Sequence, residues 1–132
     1  MEKSIRFLSI ILLIFIGLSA IGGGGMLIYD HSGNSMQFSI ELLAQTPFEN
    51  YLLPGIVLFL FIGVLSLVIA VIAIRKLSSY PWLIILQGMI LIIWLIVELF
   101  FNLDFYHPEY HIPLLLIGVY LIIAGLRLRK SF

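Results

Sequence analysis

The chain has 132 residues, of which 62% are hydrophobic and only 11% charged, and its mean hydropathy is +1.19. A water-soluble domain of this size cannot hide so much apolar surface, so a nucleic-acid binder, a secreted disulfide scaffold and a disordered tail are all excluded in favour of an integral membrane protein. Seven Lys+Arg balance seven Asp+Glu, and the absence of cysteine removes disulfides, iron–sulfur ligation and thiolate zinc sites.

About 20 apolar residues are needed to cross a bilayer as a helix. Residues 7–28 form an uncharged run of that length, and residues 52–74 form a second. Residues 82–101 form a third, interrupted only by Gln87 and Glu98. The fourth, 113–126, is short by itself and reaches a spanning length if its helix starts near Pro108, a residue suited to a first helical turn. Lipid offers no partner for backbone N–H and C=O groups, and no run alternates as a barrel strand would, so helices are expected. The expected fold is an all-α four-helix transmembrane bundle in a single domain, with spans at about 7–28, 47–76, 82–103 and 108–128. Lys3 and Arg6 before an apolar run also describe a signal peptide, with Leu18-Ser19-Ala20 as a poor cleavage site. The run is long for that reading, and its flanks suit a span.

The charges are segregated along the chain. Lys3 and Arg6 precede span one, Arg75 and Lys76 separate spans two and three, and Arg127, Arg129 and Lys130 follow span four. The loops 29–51 and 102–112 carry Asp30, Glu41, Glu49, Asp104 and Glu109 and no base. The positive-inside rule then puts both termini in the cytoplasm and the two acidic loops outside.

In the first outer loop, Asp30-His31-Ser32-Gly33-Asn34 is turn chemistry. In 36–45 both helical spacing and alternation fit, and a short surface helix is expected. Thr46 with Glu49 forms a capping-box pattern with Pro47 at the first helical position, which starts span two near Pro47. Pro47 and Pro54, and later Pro108 and Pro113, bracket the starts of spans two and four. The second proline of each pair is expected to bend its helix, as in two similar hairpins.

Membrane helices meet through small residues. Span two places Gly63, Ser66, Ala70 and Ala73 within an arc of about 80°, and Gly118 and Gly125 nearly share a face of span four. Span one carries Gly17 and then Gly22, Gly23, Gly24 and Gly25, a turn with no side chain on any face. It suits close helix packing or a locally loosened segment. Enlarging Gly23 or Gly24 is expected to cost more than enlarging Gly17.

Span three holds the ionisable residue inside a hydrophobic run. At ~100° per residue, Gln87, Trp94, Glu98 and Asn102 fall on one stripe, which should face the bundle or a wet cavity. Glu98 is the candidate proton or cation carrier, or else a hydrogen-bonding anchor near the outer interface. Gln87 reads as interhelical glue. His31, His107 and His111 all fall in the outer loops beside acids, where ordinary interfacial roles outweigh metal binding. Tyr29, Tyr51, Tyr80, Trp82, Tyr106 and Tyr110 read as an interfacial belt. No Ser/His/Asp set, P-loop or dinucleotide loop occurs, so no catalytic residue, metal or cofactor is expected.

Gly22, Gly23, Gly24 and Gly25 lead through Met26 and Tyr29 to Asp30, Ser32 and Gly33. Thr46-Pro47-Phe48, Tyr51 and Pro54-Gly55 follow. This half of the chain resembles a group of small bacterial four-span membrane proteins of unassigned function. The resemblance implies a bacterial inner-membrane location and brings no activity. The expected function is a non-enzymatic structural or accessory subunit, with a small oligomeric transporter or channel coupled through Glu98 as the alternative. The expected partners are the bilayer, further copies of the chain or other membrane proteins, and not nucleic acid. Reporter fusions test the topology: a reporter at Asn34 and one after Phe132 should lie on opposite sides of the membrane, and finding both on one side would overturn it.

Overall fold

The computed structural model describes residues 2–30, 50–77, 79–101 and 108–131, and 93% of these are helical, with no strand among them. Helix α1 is Glu2–Tyr29, α2 is Leu52–Ile74, α3 is Tyr80–Phe101 and α4 is Pro108–Leu128, followed by a 3₁₀ turn at Arg129–Ser131. All four are long and apolar enough to cross a membrane. The fourth starts at Pro108, where its ring fits the first turn, and this lengthens the short apolar run to spanning length. The loop segments 36–45 and 46–49 lie outside the described residues. The described part of α2 begins at Leu52, whose N–H donates to Asn50 Oδ1 at 2.9 Å.

The helices pair by backbone contact. A Cβ on Gly24 would meet Phe59 N at 2.7 Å and Gly55 O at 2.8 Å, and one on Gly63 would meet Ile21 Cγ1 at 2.7 Å. Gly17 faces Gly63 while Gly24 faces Gly55, so α1 and α2 run antiparallel. The α3–α4 pair repeats the device: a Cβ on Gly88 would meet Gly118 O at 2.7 Å, and one on Gly125 would meet Pro81 O at 2.7 Å. Backbones this close gain dispersion contact that lipid cannot match, which drives association where the hydrophobic effect is absent. Between the pairs, Leu13, Ile16, Ile69, Ile84, Leu91 and Leu121 fill the core.

The glycine turn of α1 differs from its expected role. It is not unwound, because α1 continues unbroken to Tyr29. Nor does it pack on all sides. Among the described residues a Cβ on Gly22 would meet nothing within 4 Å and one on Gly25 only the Phe59 ring at 3.9 Å, so Gly24 carries the crossing while Gly23 is half-buried. Gly17, expected to tolerate enlargement better, is itself at a crossing, 2.8 Å from Leu67 Cδ2 and 3.1 Å from Gly63 O on the same measure. Helical phase decides this: each added residue rotates the face by ~100°, so only every third or fourth glycine meets the neighbour.

Helix α2 is irregular, though not at its proline. Pro54 sits in the first turn of the described helix, where its missing N–H leaves no hydrogen bond broken. The change comes one turn later. Residues Leu58–Val64 form a π-helical segment, and the Leu65 N–H donates to Leu60 O, five residues back. Pro113 does lie within α4, where it cannot donate to the carbonyl four residues earlier.

The turn after α2 closes tightly. Lys76 N–H donates to Ala73 O and Leu77 N–H to Ile72 O, with Lys76 left-handed at φ 51°. This is a Schellman-type cap with lysine where glycine is usual. Since the helices alternate in direction, Lys3, Arg6, Arg75, Lys76, Arg127, Arg129 and Lys130 all lie at one end of the bundle, here called the basic end. Asp30 and Glu98 lie towards the other, the acidic end.

The packing gives a direct expectation. Gly24→Leu should lower stability in detergent by about 1–3 kcal/mol through overpacking against backbone that cannot yield, whereas Gly22→Leu should leave it nearly unchanged. Thermal unfolding of the two variants reads this out, and equal losses would contradict the crossing.

Candidate functional site

The polar stripe of α3 meets two different neighbours. Gln87 is fully buried, with 0% exposure. Its Nε2 donates to Ser66 Oγ at 2.7 Å and to Phe61 O at 3.0 Å, both on α2. Phe61 lies inside the π-helical segment and Ser66 just beyond it. The widened turn thus presses Gly63 against α1 and receives the Gln87 amide from α3. Gln87 Oε1 has no hydrogen-bond partner among the described residues, and an unmet buried acceptor costs about 1–3 kcal/mol. Trp94, further along the stripe, packs against the apolar core. Asn102 lies outside the described residues.

Glu98 sits one turn before the end of α3, towards the acidic end. Its Oε2 lies 3.0 Å from His111 Nε2, and the carboxylate accepts from the ring N–H. The side chains are 22% and 4% exposed respectively. This corrects the placement of His111 in an outer loop: it belongs to the first turns of α4 and is buried. Starting the helix at Pro108 turns His111 inward, and the antiparallel α3–α4 pairing brings it level with Glu98. His31 and His107 lie outside the described residues. No group of three or more metal-ligating side chains occurs among the described residues.

Tyr51 completes the acidic end. It is 3% exposed, at the N-terminus of α2, rather than in an interfacial belt. Burial first, and the Glu98 charge second, push its phenol up from 10.0 to about 12. Glu98 is therefore close enough to act on α2 as well as α4. Tyr80 is also buried, whereas Tyr29 and Trp82 are exposed as a belt requires. At the basic end, the Arg129 guanidinium lies over the Trp82 ring at 5.6 Å, and Arg6 Nη1 donates to Ala73 O at 3.3 Å.

Chemically, the acidic end holds a carboxylate, an imidazole and a phenol from three helices. Such a set can hold a proton or lock helix ends. Of this set, Glu98 was legible from its solitary position, whereas His111 and Tyr51 were not. The relevant signal was that all three fall near the same ends of their helices.

Tyr51 supplies a pH expectation. A phenol held at about 12 in the fold and near 10 when unfolded contributes stability that is whole below pH 10 and is lost as pH rises towards 12. The phenolate difference spectrum of wild type minus Tyr51→Phe should therefore appear near pH 12, and a transition near pH 10 would show the phenol to be solvated.

Compared with protein-family models, curated proteins and solved structures, the chain has no match.

Proposed function

We propose that this small multi-pass membrane protein is a non-enzymatic structural or accessory subunit of a bacterial inner membrane, with both termini cytoplasmic. The observation that carries the reading is that Gln87, Glu98 and Arg6 each bond across to another helix. Gln87 ties α3 to α2, Glu98 ties α3 to His111 on α4, and Arg6 ties α1 to the C-terminal carbonyls of α2. Groups used as ties hold a shape, and the helix faces left outward are apolar and available to lipid, to further copies of the chain or to another membrane protein. The bacterial location rests on the sequence resemblance, and the orientation on the charge segregation.

A second reading, a small oligomeric transporter or channel, is favoured by one observation. Glu98 is partly exposed towards the acidic end and paired with His111, and a carboxylate beside an imidazole within a span is the kind of pair a proton pathway uses.

Replacement of Glu98 separates the two. Gln retains hydrogen bonding to His111 and cannot release a proton. For an accessory subunit, Glu98→Gln should fold and behave as wild type, whereas Glu98→Ala should lose about 1–3 kcal/mol of thermal stability by leaving His111 buried without this partner. A stable Glu98→Gln that abolishes pH-dependent flux in proteoliposomes would replace the accessory reading with the transporter. Co-purification in mild detergent then reports whether the subunit self-associates or joins another membrane protein.

A further inference from the structure

The basic end carries a cluster of bases that neither reading uses. Lys3, Ser4, Arg6, Phe7 and Ile10 line a cleft of about 330 Å³ on the first turns of α1. Its polar members are two bases and a hydroxyl, all donors that suit a phosphate. Arg6 Nη1 donates to Ala73 O, which holds the guanidinium at the C-terminal end of α2. Arg75 and Lys76, two and three residues beyond Ala73, are exposed at this same helix end. Four of the seven bases thus serve one corner, while the carboxylates of Asp30 and Glu98 lie towards the other end.

The apolar members continue downward. Phe7 is 64% exposed, and Ile11, Phe15 and Leu18 are exposed beneath it at helical spacing. From Phe7 to Leu18 the stripe runs ~16 Å, about half of a ~30 Å hydrocarbon core, which is the depth of one leaflet. A soluble anion would satisfy the bases and leave this wall unused. An apolar molecule would use the wall and leave the bases unpaired. Only an amphiphile with an anionic head complements both.

We propose that the cleft binds an anionic phospholipid of the leaflet at the basic end. The phosphate sits on Lys3, Ser4 and Arg6, and one acyl chain lies along Phe7, Ile11, Phe15 and Leu18. The site is independent of whether the bundle is an accessory subunit or a transporter.

The full chain in mild detergent, titrated with phosphatidylglycerol, phosphatidylcholine or inorganic phosphate and read by native mass spectrometry, tests this. Phosphatidylglycerol should be retained over phosphatidylcholine. Lys3→Gln, which breaks no bond among the described residues, should weaken phosphatidylglycerol binding about fivefold, the effect of one base near the surface. Lys3→Gln/Arg6→Gln should weaken it further. Arg127→Gln/Lys130→Gln removes two bases from the same end but from another helix, and should leave binding unchanged. Equal weakening by that control pair would reduce the effect to spread surface charge and overturn the site. So would equal retention of phosphatidylcholine, or displacement of the lipid by inorganic phosphate at equal concentration.

Discussion

A backbone in hydrocarbon must satisfy its own hydrogen bonds, and helices that do so have little left to attract one another except close contact. In this bundle that contact is made by glycine. Gly24 against Gly55 and Phe59, and Gly88 against Gly118, bring main chain to main chain at distances where no side chain fits. Everything else hangs from these two crossings. They set the register of α1 on α2 and of α3 on α4, and so they decide which polar groups end up level with which.

The join between the two pairs is polar rather than glycine-based. Gln87 of α3 inserts its amide into α2 at the one place where that helix departs from α-geometry. A π-helical turn is wider than an α-turn and is often found where a helix must present its backbone to something else. Here the same segment offers Gly63 to α1 and Phe61 O to α3. The bond is buried, so its loss would leave donors and acceptors that lipid cannot satisfy. The amide specifies how the pairs dock, while Ile69, Ile84, Leu91 and Leu121 supply the bulk.

The two ends of the bundle do different electrostatic work. At the acidic end, Glu98 pairs with His111 between α3 and α4, and its charge adds to burial in raising the Tyr51 phenol at the start of α2. At the basic end, the charges are spread over three helices and mostly exposed, as suits contact with lipid head groups. Arg6 on Ala73 O and Arg129 over Trp82 show two of these bases doing structural duty as well, one capping a helix C-terminus and one resting on an aromatic face.

Composition and local order determined most of the architecture. Three runs near 20 apolar residues and a shorter fourth that a helix start at Pro108 extends, with every base beside the same set of run ends, leave an all-helical four-span bundle with its termini at one end, because length and hydropathy are properties of a segment by itself. Pro108 as a helix start was legible for the same reason. What the segments could not reveal was phase and partner. Four adjacent glycines look alike in sequence, yet one rotation of α1 gives Gly24 to the crossing and turns Gly22 to open space. His111 and Tyr51 read as loop and belt residues until the antiparallel register placed them beside Glu98. Gly88 gave no sign of its role, since a lone glycine acquires meaning only from the helix pressed against it. Local chemistry fixes what each helix is, and only the rotation and height of one helix against another decide which of its residues meet.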